Sequence, residues 1–141
     1  MVVSDKIEIQ QALASALGLC GLAPIIAKTE SEAIAILSHH SIALIFCSDE
    51  LPGDPINALI RGARRFLNQV PVVVVSRLDD WERYLNCLRS GAFDYALYPL
   101  ARNQVERIVN SALWQMPLPA LPHVKRLSNV LQFGQTRRRE S

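Results

Sequence analysis

Three groups of residues in this chain have the types and spacing for chemistry. Ser4-Asp5 follows Val2-Val3, Ser48-Asp49-Glu50 follows the apolar run Ile42 to Cys47, and Ser76-Arg77 follows the run Val70 to Val75. A serine hydroxyl is a weak nucleophile near neutral pH unless a base stands beside it, and Asp5 is the one candidate base here. Carboxylates also suit Mg²⁺, which takes oxygen ligands and is commonly held by one or two acids together with a substrate phosphate. Asp5 alone is a poor site of that kind, so it is a weak metal candidate.

The elements that carry these residues can be read from the apolar pattern. Ile42 to Cys47 is a run of six apolar residues with no polar break, closed by Leu51-Pro52. A short apolar run bounded by a turn signal reads as a strand buried on both faces, central in a parallel sheet. Ligand chemistry in such sheets sits at the carboxyl ends of the strands, where Ser48, Asp49 and Glu50 fall. Met1 to Ser4, Ala23 to Ala27, Val70 to Val75 and Tyr95 to Tyr98 read as the other strands, the first followed by Asp5 as an acid or a helix cap. Helical spacing recurs between them: Ile9, Leu13, Ala16, Leu17 and Cys20; Ala33, Ile34, Ile36 and Leu37; Ile56, Leu59, Ile60, Ala63 and Leu67; Trp81, Tyr84, Leu85 and Leu88; Val105, Ile108, Val109, Ala112 and Leu113. Thr29-Glu30-Ser31-Glu32 is a capping box, with Thr29 as cap and Glu32 reaching back. Gly91 stops the fourth helix. Five strands alternating with five helices and joined by right-handed crossovers predict a flavodoxin-like, doubly wound α/β fold with a parallel sheet.

Composition limits the function classes. A chain of 141 residues that is half apolar and a fifth charged is one globular domain. Cys20, Cys47 and Cys87 all lie in apolar segments, which fits buried, reduced thiols rather than a disulfide framework. His39-His40 is a helix-end or loop pair, because sequence neighbours point apart. No apolar run approaches a membrane span, and acids at Asp5 and Glu8 argue against a signal peptide, so a cytoplasmic location is expected. The net charge of +2 is unevenly placed: residues 117–141 carry a balance of +4, leaving −2 for residues 1–116. Pro117-Leu118-Pro119-Ala120-Leu121-Pro122 reads as an extended linker into a flexible basic tail that ends in Arg137-Arg138-Arg139. No DNA-binding module can be read in that tail, so nucleic acid is not expected as a partner.

Residues 1–116 resemble a response-regulator receiver domain. The resemblance rests on the element order and on four patterns: Val2-Val3-Ser4-Asp5, where receivers place an acid pair; Ser48-Asp49-Glu50-Leu51-Pro52, on the phospho-acceptor pattern; Pro71 to Ser76, on the fourth strand with its terminal hydroxyl; and Gly91 to Leu100, on the Gly-Ala-x-Asp-Tyr-x-x-Lys-Pro-Phe segment. It implies a sheet ordered 2-1-3-4-5, a cis bond before Pro99 and a switch role for Tyr95. It also implies an interaction face on the fourth helix, fifth strand and fifth helix, with Arg102 and Glu106 near it. A working receiver holds Mg²⁺ with two acids and the acceptor aspartate, and holds phosphate with a lysine and a hydroxyl. Here those positions carry Ser4 and Asp5, Ser48, Tyr98 and Ser76, so only Asp5 and Ser76 match.

The expectation is a pseudo-receiver: a regulatory domain of two-component-type signalling, not an enzyme, with no cofactor and weak or absent Mg²⁺ binding. Its partners are an unidentified signalling protein and a second copy in a weak homodimer, with no membrane involved. A one-residue slip gives the alternative, an active receiver phosphorylated at Asp49, or at Ser48 in the unslipped register. The slip would turn the strand inside out and break the spacing to Leu51-Pro52. A second alternative is a small flavodoxin-like enzyme or ligand binder, against which no Gly-rich phosphate loop opens the first helix. Asp49 is expected to be a loop acid that can pair with Arg77. Arg77 either fills the emptied pocket or binds an acid of the Asp49–Glu50 loop. Trp81 and Tyr84 are read as packing at the edge of the core.

Overall fold

Strand and helix alternate without exception in the computed structural model, which describes residues 1–65 and 69–114. In chain order the elements are β1 (Val2–Val3), α1 (Ile7–Leu19), β2 (Ile26–Ala27), α2 (Glu30–His39), β3 (Ile45–Ser48), α3 (Pro55–Arg64), β4 (Val72–Ser76), α4 (Trp81–Ser90), β5 (Asp94–Leu97) and α5 (Arg102–Trp114). The strands form one sheet ordered β2-β1-β3-β4-β5, and every pairing is parallel. This is the flavodoxin-like arrangement expected from the sequence.

The side-chain period of two explains the two cores. Val3, Ile45, Cys47, Val72 and Val74 point to one face, under Ala33 and Leu37 of α2 and Leu59, Ile60 and Ala63 of α3. Val2, Phe46, Val73 and Val75 point to the other, under Ile9, Leu13 and Leu17 of α1 and Val105, Ile108 and Val109 of α5. Strands covered on both faces need uninterrupted apolar sequence, which is why β3 and β4 read as runs rather than alternations. Burying each such aliphatic or aromatic side chain contributes about 1.5–3 kcal/mol. Among helices, α4 differs: none of its residues is fully buried.

Several local expectations need correcting. Asp5 does not cap α1. The N-cap position is Lys6, without a side-chain cap, and the turn is held instead by Ser4: its Oγ accepts from the Lys6 N–H at 3.1 Å and its carbonyl accepts from Gln10 Nε2 at 2.6 Å. At α2 the Thr29 hydroxyl accepts from the Glu32 N–H at 3.1 Å as a cap should, but Glu32 reaches back to the Lys28 N–H rather than to Thr29. Strands β2 and β4 are shorter at their starts than the apolar runs, and β5 begins one residue early, at Asp94, leaving Tyr98 just beyond its end. Cys47 is buried, whereas Cys20 and Cys87 are only half-buried. His39 does lie in the last turn of α2, its ring nitrogen 3.0 Å from the Ala35 carbonyl oxygen. Leu67 and the tail, residues 117–141, lie outside the described residues.

Gly91 ends α4 in a left-handed conformation with φ at 111°, and it has no room for a side chain. A Cβ there would stand 2.5 Å from Arg64 Nη2 and 3.2 Å from Ile60 Cγ2. The Tyr98–Pro99 peptide is cis, in line with the resemblance.

Candidate functional site

All three serines arrive together at the carboxyl edge of the sheet, because β1, β3 and β4 are adjacent and parallel. Ser4, Ser48 and Ser76 are 0 %, 2 % and 1 % exposed, the polar residues that the core fully buries among those described. A buried hydroxyl must find partners, and each serine finds one in the same way. Ser4 Oγ accepts from the N–H of Lys6 at 3.1 Å, Ser48 Oγ from that of Glu50 at 3.2 Å, and Ser76 Oγ from that of Leu78 at 3.0 Å. Three strands thus end on the same side-chain turn, in which the hydroxyl oxygen fixes the N–H two residues on. The hydroxyls act here as hinges for the loops that leave the sheet.

The register supports this placement. Ser48 is the last residue of β3, opposite Val75, and Asp49 extends the ladder by one more bond, its N–H donating to the Val75 carbonyl at 3.1 Å. Ser48 therefore occupies the strand end and Asp49 the first loop position.

Charge is neutralised across the edge by two arginines. Arg77 Nη2 donates to Glu8 Oε2 at 2.9 Å and its Nε lies 2.9 Å from Glu50 Oε2, so one guanidinium ties the start of α1 to the loop after β3. The same guanidinium lies over the Tyr98 ring, 5.2 Å from its centroid. A planar cation that stacks and forks suits this arrangement in a way a lysine would not. Glu8 is held below its ordinary carboxylate range, first by a hydrogen bond from its own backbone and then by Arg77. Arg77 is pushed up in return, chiefly by its bond to Glu8.

Asp49 is not the partner of Arg77. Its Oδ2 accepts from Arg83 Nη1 of α4 at 3.1 Å, and its side chain is only 8 % exposed. Of the two roles expected for Arg77, it takes the second, with Glu50 rather than Asp49. Arg83, Glu8 and Gln10 are site residues that sequence reading passed over. Nothing local marks them, since Arg83 and Asp49 stand 34 positions apart and Arg77 and Glu8 stand 69 apart.

Tyr98, at the lysine position, keeps its hydroxyl 3.4 Å from the Glu8 carbonyl oxygen. Asp5 is exposed. Among the described residues, no three His, Cys, Asp or Glu side chains converge in a way that could hold a metal ion. The donor set around Asp5 therefore does not fit the Mg²⁺ site of a working receiver.

Tyr95, on β5, is half-buried. Its hydroxyl donates to the Leu78 carbonyl at 2.7 Å and its ring meets Tyr84 edge-on at 5.8 Å. Burial pushes its phenol up, and a hydrogen bond with the Ser76 side chain offsets part of that. Tyr84 in turn stacks on Trp81 at 5.2 Å. Trp81 was expected at the core edge, but it is 65 % exposed, with Leu78 at 51 % and Leu97 at 37 % beside the same elements. Arg102 and Glu106 form an exposed pair one turn apart on α5, at 3.9 Å. No helix among the described residues is long and apolar enough to cross a membrane.

No protein-family model matches the chain. Among curated proteins it is 25% identical over 118 residues to the response regulator protein FleR of Pseudomonas aeruginosa, covering 83% of this chain and 25% of that protein. It is 26% identical over 113 residues to the probable transcriptional regulator ycf27 of Cyanidium caldarium, covering 80% of this chain and 45% of that one. The chain thus spans less than half the length of these relatives. Among solved structures, a Francisella response regulator receiver domain superposes with a TM-score of 0.71 at 24% identity, over 81% of this chain and 94% of that one. The beryllofluoride-activated NtrC4 receiver domain dimer superposes with a TM-score of 0.74 at 21% identity, over 82% and 95%. The chain therefore has the flavodoxin-like fold of a receiver domain, and its sequence is similar to those of response regulators.

Proposed function

We propose that this chain is a pseudo-receiver: a non-enzymatic regulatory domain that acts by binding proteins and does so without aspartyl phosphorylation. The observation that carries this reading is the pair of buried serines, Ser4 and Ser48, at the edge of the sheet. A phospho-acceptor edge needs carboxylates for the metal and the phosphoryl group. Here two of the corresponding positions, Ser4 and Ser48, hold buried hydroxyls that fix their own loops, as the strand-end hydroxyl of Ser76 does beside them. Two features add support. The Arg77 clasp ties Glu8 to Glu50 across the edge, and Asp49, the alternative acceptor, is already paired with Arg83. Mg²⁺ binding is weak or absent, because Asp5 has no second acid converging on it. Output runs through α4, β5 and α5, where Trp81, Leu78 and Leu97 are exposed, and a relative in fold forms a receiver domain dimer. A cytoplasmic location fits that role.

The test is incubation with Mg²⁺ and acetyl phosphate, read by intact mass. No acyl-phosphate adduct is expected, and Mg²⁺ should leave the thermal melt unmoved, since a ligand stabilises only by binding the folded state. The triple change Ser4→Asp, Ser48→Asp and Tyr98→Lys restores the missing groups and should bring back measurable Mg²⁺ binding. Phosphorylation of the unaltered protein that disappears in Asp49→Asn would overturn the proposal and make the chain an active receiver.

A further inference from the structure

Helix α4 carries a line of side chains that is complementary to itself when reversed. Glu82, Leu85, Asn86 and Arg89 stand at spacings of three and four, so they form one stripe along the helix. Glu82, Asn86 and Arg89 are exposed and Leu85 is half-buried. Charge is sorted by end. Asp79, Asp80 and Glu82 are exposed at the start of α4, and Arg89 is exposed in its last turn. The end of α3 adds to the basic side: Arg61 and Arg64 are exposed in its last turn, and Arg64 Nη2 lies against Gly91, where α4 stops. Glu82 and Arg89 stand about 10 Å apart along the helix axis and do not meet. Among the described residues, neither they nor Arg61 and Arg64 take part in an ion pair. We propose that two copies pair through antiparallel α4 helices about a two-fold axis between Leu85 and Asn86, so that Glu82 of each copy meets Arg89 of the other. This rests on the reading of α4 as a contact face and gives that face a partner and a register. It departs from the face that the resemblance implies, since the end of α3, rather than α5, joins the contact.

Symmetry fixes the register. A two-fold between Leu85 and Asn86 sets residue 82 against 89 and 85 against 86 in both directions, as a contact of one patch with itself requires. The acidic start of each α4 then lies beside the basic ends of α4 and α3 of the other copy, and the two helix dipoles oppose each other favourably. A parallel pairing would set acid on acid and base on base, which is strongly disfavoured. Apolar surface runs beside the charged stripe. Trp81, Leu85 and Leu88 follow at spacings of four and three, with Trp81 65 % exposed and both leucines half-buried. About the same axis this row meets itself reversed, with Trp81 near Leu88 of the second copy and Leu85 near its own counterpart. The row is open to a partner because α4 is held lightly on the sheet, with none of its residues fully buried. Ten residues of helix are about 15 Å long. A contact of that length with a few flanking side chains falls among the small interfaces of weak, transient complexes.

Charge exchange tests this pairing. Sedimentation of the full chain, without a phosphodonor, is expected to show a weak dimer that added salt weakens. Glu82→Arg and Arg89→Glu should each weaken self-association at least about tenfold, because each sets like charges together twice per dimer. The double variant Glu82→Arg, Arg89→Glu should recover it. So should an equimolar mixture of the two single variants, in which every contact again joins an arginine to a glutamate. Asn86→Cys lies beside the axis and should give a disulfide-linked dimer on mild oxidation, whereas Ser15→Cys, exposed on α1, should not. A monomer at every concentration overturns the proposal. So does a dimer in which neither the double variant nor the mixture gains over the single variants, which would assign the contact to another surface. If a charge variant fails to fold, the Asn86→Cys crosslink in the otherwise unaltered chain decides alone. None of these measurements involves phosphate or metal, so they and the acetyl phosphate test can fail separately.

Discussion

Arg77 shows how much one residue can organise the carboxyl edge of the sheet. In the receiver pattern a small residue follows the strand-end hydroxyl and leaves room for phosphate. Here a guanidinium stands at that position and meets Glu8, Glu50 and the Tyr98 ring at once. Surface ion pairs of this exposure contribute little each, so the consequence is geometric more than energetic: the loop after β3 is tied to the start of α1. The titration of Glu8 reports on this clasp. Its folded pKa lies below the unfolded value, so its stabilising contribution is present above the unfolded value and is lost as pH falls through the folded one. The Glu8 carboxyl carbon, followed by nuclear magnetic resonance, should titrate below an ordinary glutamate. Arg77→Gln should move the midpoint part of the way back, because the hydrogen bond from Glu8's own backbone is the larger cause and remains. An unmoved midpoint would mean that the two side chains do not meet in solution. The serine positions were legible in the sequence, since each ends an apolar run. Their partners were not, because an ion pair between residues far apart in the chain leaves no local signature.

At the scale of elements, the apolar runs located every strand and helix, and errors were confined to edges. Such errors follow from hydropathy itself: Leu44 is buried whether it is the first residue of β3 or the one before it, so the pattern cannot mark the boundary. Of the two roles open to Asp5, an acid or the cap of α1, the structure excludes the cap. Asp5 is a good cap by type, but Ser4 and Gln10 hold the turn instead. Gly91 was read correctly as a stop, and the structure adds a second reason for it beyond its left-handed φ, the close approach of α3. Gly91→Ala should therefore destabilise the domain by about 1–2 kcal/mol in urea unfolding, about 1 kcal/mol of it from the backbone conformation. Adding Arg64→Ala should recover the steric part and leave the conformational part. Full recovery would show that the backbone adjusts freely at this turn, against the strain argued here.

For the molecule as a whole, the sheet order and the two-sided core follow from the alternation of elements, while the exposed apolar surface of α4 does not, because the spacing of Trp81 reads as packing at the core edge. Helix α4 is the element with no fully buried residue, and it carries the aromatic row Trp81, Tyr84 and, across on β5, Tyr95. A tryptophan left 65 % exposed on a helix this lightly packed adds little to folding and much to a contact surface. Tyr95 links that surface to the serine edge through Leu78, whose carbonyl accepts from the Tyr95 hydroxyl and whose N–H donates to Ser76 Oγ. A two-fold pairing across α4, β5 and α5 would bring the same patch of each copy together, which is how most homodimers close. We expect a weak dimer in sedimentation at high protein concentration. Trp81→Glu should weaken it at least about tenfold, in the range typical of a central aromatic contact. The same change should leave the melting temperature of the dilute protein nearly unmoved, since the ring is largely in water. A strict monomer at every concentration would remove α4 as a self-association face. A dimer that ignores Trp81→Glu would place the contact elsewhere on the surface.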